Sequence, residues 1–107
     1  MSEELLYAKG NILVRRAILD PGESSAWHID TCDRLTVILS GDRIAIEFRE
    51  SGETHEFDVH PGRVDWDEPT SEEHRAINVG QCRYEEVVTF FLSKSAQDPQ
   101  PKTGQEV

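Results

Sequence analysis

The sequence predicts an all-β domain of the barrel or sandwich type. Short segments rich in Val, Ile, Leu, Thr and Phe recur along the chain, and none extends into the periodicity of an amphipathic helix. Turn signals containing Gly or Pro separate these segments at even spacing, as a closed or two-layered antiparallel sheet requires. At 107 residues the chain fits one such domain and buries a modest core without disulfides.

Taken in order, a short first strand is predicted over residues 5–8 and a second over 12–19. A third spans 35–39. The clearest is 43–48, where Ile44, Ile46 and Phe48 alternate with Arg43, Ala45 and Glu47, so that the apolar set lies on one face and looks into a core. Further strands follow over 54–59, 63–67, 75–79 and 84–92.

The breaks carry the turn chemistry. Asp20-Pro21-Gly22, Ser40-Gly41-Asp42, Ser51-Gly52-Glu53, His60-Pro61-Gly62 and Val79-Gly80-Gln81 each place Gly or Pro where a turn demands special dihedrals. Residues 93–107 contain two prolines, no aromatic residue and little to bury. The expected organisation is therefore one barrel domain over 1–92 and a flexible C-terminal tail over 93–107.

Charge narrows the partners. Against 11 basic residues stand 21 acidic ones, a net charge of −10 with His neutral, which repels phosphate backbones and anionic membrane surfaces. Neither nucleic acid nor membrane is an expected partner. The start, MSEELLYAKG, lacks a basic segment followed by an apolar one, and the expected location is cytoplasmic. Cys32 and Cys82 are isolated thiols without metal-type spacing and read as ordinary reduced residues.

Two segments carry a family signature. Gly22, then His28-Ile29-Asp30, Arg34 and Gly41 are similar in spacing to the first cupin motif, which runs Gly, five residues, His-x-His, three or four residues, Glu, six residues, Gly. Gly62, Pro69, Ser71, His74 and Asn78 resemble the second motif, with Ser71 where the family has Gly and one extra residue before Pro69. The resemblance implies an all-β, cupin-like double-stranded β-helix (jelly-roll) barrel. It also implies a dimer, and often one divalent metal held by two His and a Glu of the first motif together with the His of the second.

Here only His28 and His74 match that ligand set. Asp30 replaces the second His and Arg34 stands at the Glu position, so the usual three-His, one-carboxylate centre cannot form. Residues two apart on a strand share a face, so His28 and Asp30 can converge. With His74 they compose two imidazoles and one carboxylate, a set suited to Fe(II), Mn(II) or Ni(II), or to Zn with water in its fourth position. The competing reading has no metal, with Asp30 pairing to Arg34 inside the barrel mouth because a guanidinium there needs a carboxylate.

Arg34 and Trp66 are the expected pocket residues, Arg34 as anchor for a ligand carboxylate and Trp66 as a wall. Trp27 reads as plain core. His55 and His60 read as surface residues, and the acidic run from Asp65 to Glu73 as a solvated edge, with Asp67 or Glu68 turned inward as the alternative.

Two functions remain open. In one, the barrel acts on a small anionic metabolite as a metal-dependent oxygenase or isomerase; in the other it binds such a molecule without metal and without chemistry. A homodimer is expected in either case, since two-fold association is the commonest closed assembly and covers sheet edges.

Overall fold

Eight strands form among the described residues, 1–92, of a computed structural model of the chain. The expected tail, 93–107, lies outside the described residues. The strands are β1 (Ser2–Lys9), β2 (Ile12–Leu19), β3 (Asp33–Ser40), β4 (Arg43–Phe48), β5 (Thr54–Asp58), β6 (Val64–Asp67), β7 (His74–Asn78) and β8 (Tyr84–Phe91).

β2 and β4 keep the bounds read from sequence, and most of the others move by one or two residues. β1 is the exception, running over 8 residues where a short strand is predicted. Gly10, at φ 59°, closes a tight turn after Lys9. From there the hairpin ladder runs to Ser2 opposite Ile18. Every β1 side chain is exposed, so its backbone pairing leaves no apolar alternation in the sequence.

All pairings are antiparallel. Five strands form one sheet in the order β1-β2-β8-β3-β6, and three form a second in the order β5-β4-β7. The sheets face each other, and their inner faces are filled by alternate residues. At one end Leu19, Ile38, Ile44, Val59 and Tyr84 make the buried core, with Ile46, Phe57 and Ala76 packed against it. Gly41 sits at φ 136°, and a Cβ there would lie 2.9 Å from Tyr84 Cδ1, so this turn needs Gly for both conformation and space.

Asn78 is the core's fully buried polar residue, 1% exposed. Its amide nitrogen donates to Leu19 O and Cys82 O, and its Oδ1 accepts from Gly80 N. One side chain thereby ties the end of β2 to the turn between β7 and β8, satisfying groups that would otherwise be buried without partners.

The pleat sets the opposite end apart. On β7, His74, Ala76 and Asn78 share a face, with Asn78 opposite Ile44 and His74 opposite Phe48. Moving from Asn78 to His74 therefore leads from the closed core to a polar mouth. No helix among the described residues is long and apolar enough to cross a membrane.

Candidate metal centre and pocket

The mouth is built by one short bridge. His28, in the segment between β2 and β3, pairs through its backbone with His74 at the start of β7, each N–H donating to the other's carbonyl at 2.9 Å. This directly opposed pair brings the two rings to 4.6 Å between centroids. Asp30, two residues on, points to the same side as His28.

Each ring is oriented by its own backbone neighbourhood. Nδ1 of His28 lies 2.8 Å from Ala26 O, and Nδ1 of His74 lies 2.8 Å from Glu72 O. A carbonyl only accepts, so both Nδ1 atoms carry protons and both Nε2 atoms face the pocket. There Asp30 Oδ2 stands 2.7 Å from His74 Nε2 and Asp30 Oδ1 stands 3.7 Å from His28 Nε2.

These three residues form the group of ligand-type side chains among the described residues that can hold a metal, with one donor atom from each within 4.8 Å of the others. The set is graded in exposure. His74 is 9% exposed, Asp30 12% and His28 41%, so the group opens to solvent on the His28 side.

Arg34 enters from β3 and approaches Asp30 Oδ2 at 3.1 Å and Asp67 Oδ2 at 3.9 Å. The ion pair read from the sequence therefore exists, on the same Asp30 oxygen that faces His74. The second guanidinium nitrogen, Nη1, is buried and has no hydrogen-bond partner, an arrangement that costs roughly 1–3 kcal/mol until an acceptor arrives.

The cavity behind this mouth measures about 160 Å³ and is lined by His28, Asp30, Arg34, His74 and, farther in, Tyr84 and Glu86 among others. Glu86 escaped the sequence reading. It lies in Tyr84-Glu85-Glu86-Val87-Val88, a run whose alternation is masked by two adjacent acids and two adjacent valines. Only the register shows that Glu86 faces inward, between Ala17 of β2 and Ile38 of β3. Its Oε1 accepts a hydrogen bond from the Tyr84 hydroxyl. Burial raises the Glu86 carboxyl above the usual range, and the Asp30 charge adds to this against the Tyr84 bond and Arg34. Burial and Glu86 likewise push the Tyr84 phenol up, so it stays a donor.

Two aromatic expectations need correction. Trp66 pairs with Leu35 on β3 while its neighbours Asp65 and Asp67 pair with Thr36 and Arg34. Thr36 and Arg34 line the cavity with the two aspartates, so Trp66 points to the outer face of the five-stranded sheet, 55% exposed and 5.4 Å from the Phe91 ring. It is not a wall of this pocket. Trp27 is not core either, lying half-buried at the surface with the Arg75 and Arg49 guanidiniums 4.4 Å and 5.5 Å from its ring.

Most of the remaining assignments follow the sequence reading. His55 is exposed and paired loosely with Glu53, and His60 is exposed at its Pro-Gly turn. Glu68 and Glu72 are solvated, whereas Asp67 leans toward Arg34 as a half-exposed counter-charge and Asp65, read as part of the solvated edge, instead lines the cavity and pairs with Arg63. Cys32 and Cys82 are free thiols, and burial pushes the Cys32 thiol up, away from the reactive thiolate.

Two facing antiparallel sheets with a His-lined mouth at one end define a double-stranded β-helix barrel. Solved structures bear this out: the chain has the cupin fold. It superposes on a cupin domain from Bordetella pertussis Tohama I with a TM-score of 0.75 at 17% identity, covering 86% of this chain and 93% of that one. A cupin superfamily protein from Desulfitobacterium hafniense DCB-2 gives 0.64 at 20% identity, over 86% and 77%. Oxalate oxidase, solved with the substrate analogue glycolate, gives 0.58 at 20% identity, over 84% of this chain and 44% of that one. No protein-family model matches the sequence. No curated protein matches it either.

Proposed function

We propose that this protein binds one divalent cation through Nε2 of His28, Nε2 of His74 and the carboxylate of Asp30, and holds a small anionic metabolite beside it with Arg34. The observation that carries this reading is the facing of His74 Nε2 and Asp30 Oδ2 at 2.7 Å while His74 Nδ1 is already committed to Glu72 O. Two acceptors at that distance share a proton, and a cation taking two imidazoles and a carboxylate as ligands would displace it.

The donor set suits Fe(II), Mn(II), Ni(II) or Zn(II) and leaves coordination positions open. A bound ion would act as a Lewis acid on a ligand oxygen, the chemistry of small-molecule oxygenases and isomerases. The protein's own part is to orient both rings through the Ala26 and Glu72 carbonyls and to present the Arg34 Nη1 donor. The likeness in fold to oxalate oxidase, which binds the small acid glycolate, supports the same class of ligand.

A second reading rests on the Arg34–Asp30 contact at 3.1 Å. In it the barrel binds the same class of small anion without metal and without chemistry. Titration calorimetry of Mn(II) into untagged protein separates the two. One-to-one binding that is lost in Asp30→Ala and kept in His55→Ala supports the metal centre. Absence of binding in the wild type hands the site to the metal-free reading.

We further propose that two copies associate along the free edge of β1. This strand is wholly exposed, and among the described residues it pairs only with β2. An antiparallel copy would bring together the central Leu5, Leu6 and Tyr7 of both strands, where the ladder with β2 shifts register, matching apolar to apolar.

A further inference from the structure

The pocket has a polar group at its inner wall that neither the metal reading nor the family motifs use. Glu86 comes from β8, the strand between β2 and β3 in the five-stranded sheet. It stands opposite Ile38, while Arg34 stands opposite Phe90 on the same β3–β8 ladder. The two are thus four residues apart along the sheet, roughly 13 Å at the backbone. Both line one cavity of about 160 Å³, yet neither bonds the other: Arg34 reaches Asp30 and Asp67, and Glu86 takes the Tyr84 hydroxyl.

That leaves two hydrogen-bonding positions without partners on residues that line one cavity. Nη1 of Arg34 is buried and unpaired. Oε1 of Glu86 is occupied by Tyr84, while its other oxygen has no partner among the described side chains. The wall between them is mixed, with the apolar Ile38, Ile46 and Val88 beside Thr36 and Asp65, so a ligand spanning the cavity meets a cationic donor, this mixed strip and a carboxyl in turn.

We propose that Glu86 is a specificity-determining residue that hydrogen-bonds a second oxygen function of the ligand, so that the pocket selects small acids bearing a hydroxyl, oxo or second carboxyl group over acids with a plain hydrocarbon chain. The inference deepens the proposed function and rests on its assignment of the ligand carboxylate to Arg34. The physical reason is asymmetric. A ligand with a hydrocarbon end would strip water from Glu86 without replacing its hydrogen bond, whereas an oxygenated one would restore it. Tyr84 is the positioning residue, since its hydroxyl fixes which Glu86 oxygen remains for the ligand.

Mn(II)-loaded protein titrated with propionate, lactate, pyruvate and malonate tests this. The expected result is that at least one oxygenated acid binds roughly tenfold tighter than propionate, the difference one well-placed buried hydrogen bond makes. Glu86→Leu should abolish the preference while Mn(II) affinity stays unchanged, and Glu86→Gln, which keeps a polar end of the same shape, should retain part of it. Equal binding of propionate and the three oxygenated acids, a preference that survives Glu86→Leu, or no binding of any acid would overturn the inference, even with Mn(II) bound. If Mn(II) does not bind but the preference appears and depends on Glu86, the metal assignment fails and this one stands.

Discussion

Nε2 of His74 and Oδ2 of Asp30 lie 2.7 Å apart, with Nδ1 of the same ring donating to Glu72 O. The pair therefore shares a proton, which a metal ion taking both groups as ligands would have to displace. Metal binding should release about one proton. Calorimetry of Mn(II) binding in two buffers of different ionisation enthalpy reads the proton released. A value of zero, or affinity independent of pH, would show that no proton occupies the site.

Arg34 sets the charge beside that pair. Its Nη2 is 3.1 Å from Asp30 Oδ2 and the side chain is 17% exposed, so solvent screens it little. Arg34→Glu should tighten Mn(II) or Ni(II) by about tenfold or more, because it exchanges a repelling cation for a further carboxylate. It should also weaken any small carboxylate ligand. Unchanged metal affinity in that variant would place Arg34 outside the field of the site.

Glu86 gives a pH signature of stability. Its folded carboxyl is raised mainly by burial, so the native state keeps the proton to higher pH than the unfolded chain, whose Glu titrates near ~4.3. Stability from this group is present below that value and is lost as pH rises through the folded one. Glu86→Gln cannot ionise and keeps an acceptor for Tyr84. Its urea midpoint should match the wild type at acid pH and exceed it increasingly toward neutral and mildly alkaline pH. A constant offset across that range would contradict the assignment.

Asn78 should be the costliest polar side chain in the fold to remove. It bonds Leu19 O, Cys82 O and Gly80 N from a position 1% exposed. Asn78→Ala strands three backbone groups and leaves a void, a loss of about 3–5 kcal/mol. Chemical denaturation measures this directly. A loss below ~1 kcal/mol would mean that water replaces the amide.

The β1 edge predicts a concentration-dependent mass. Light scattering at micromolar concentration should return twice the chain mass, and Leu6→Asp, which sets charges face to face at the centre of the proposed pairing, should return the monomer. A monomeric wild type rules out the edge-to-edge dimer.

Much of this architecture is legible in the sequence, for a local reason. Turn residues and period-two alternation act over a few neighbours, so β4 is readable from Ile44, Ile46 and Phe48, and β2 from its apolar run. Residues two apart on extended chain share a face, so His28 and Asp30 can be seen to converge, while His74 joins them only through the likeness of residues 62–78 to the second cupin motif.

What only the tertiary structure decided is which face of each strand became the inside. In β6 the apolar Val64 and Trp66 alternate with Asp65 and Asp67, and the alternation by itself turns the tryptophan inward. The barrel does the reverse. Pairing of Asp67 with Arg34 and of Asp65 with Thr36 sets the acids toward the cavity and Trp66 outside, since the mouth of this barrel is polar and Arg34 draws in counter-charge. Glu86 was hidden for the same reason, its direction following from its place between Ala17 and Ile38. A strand's own pattern states that its faces differ, but register against its neighbours chooses which one meets the core, and a one-residue shift exchanges them.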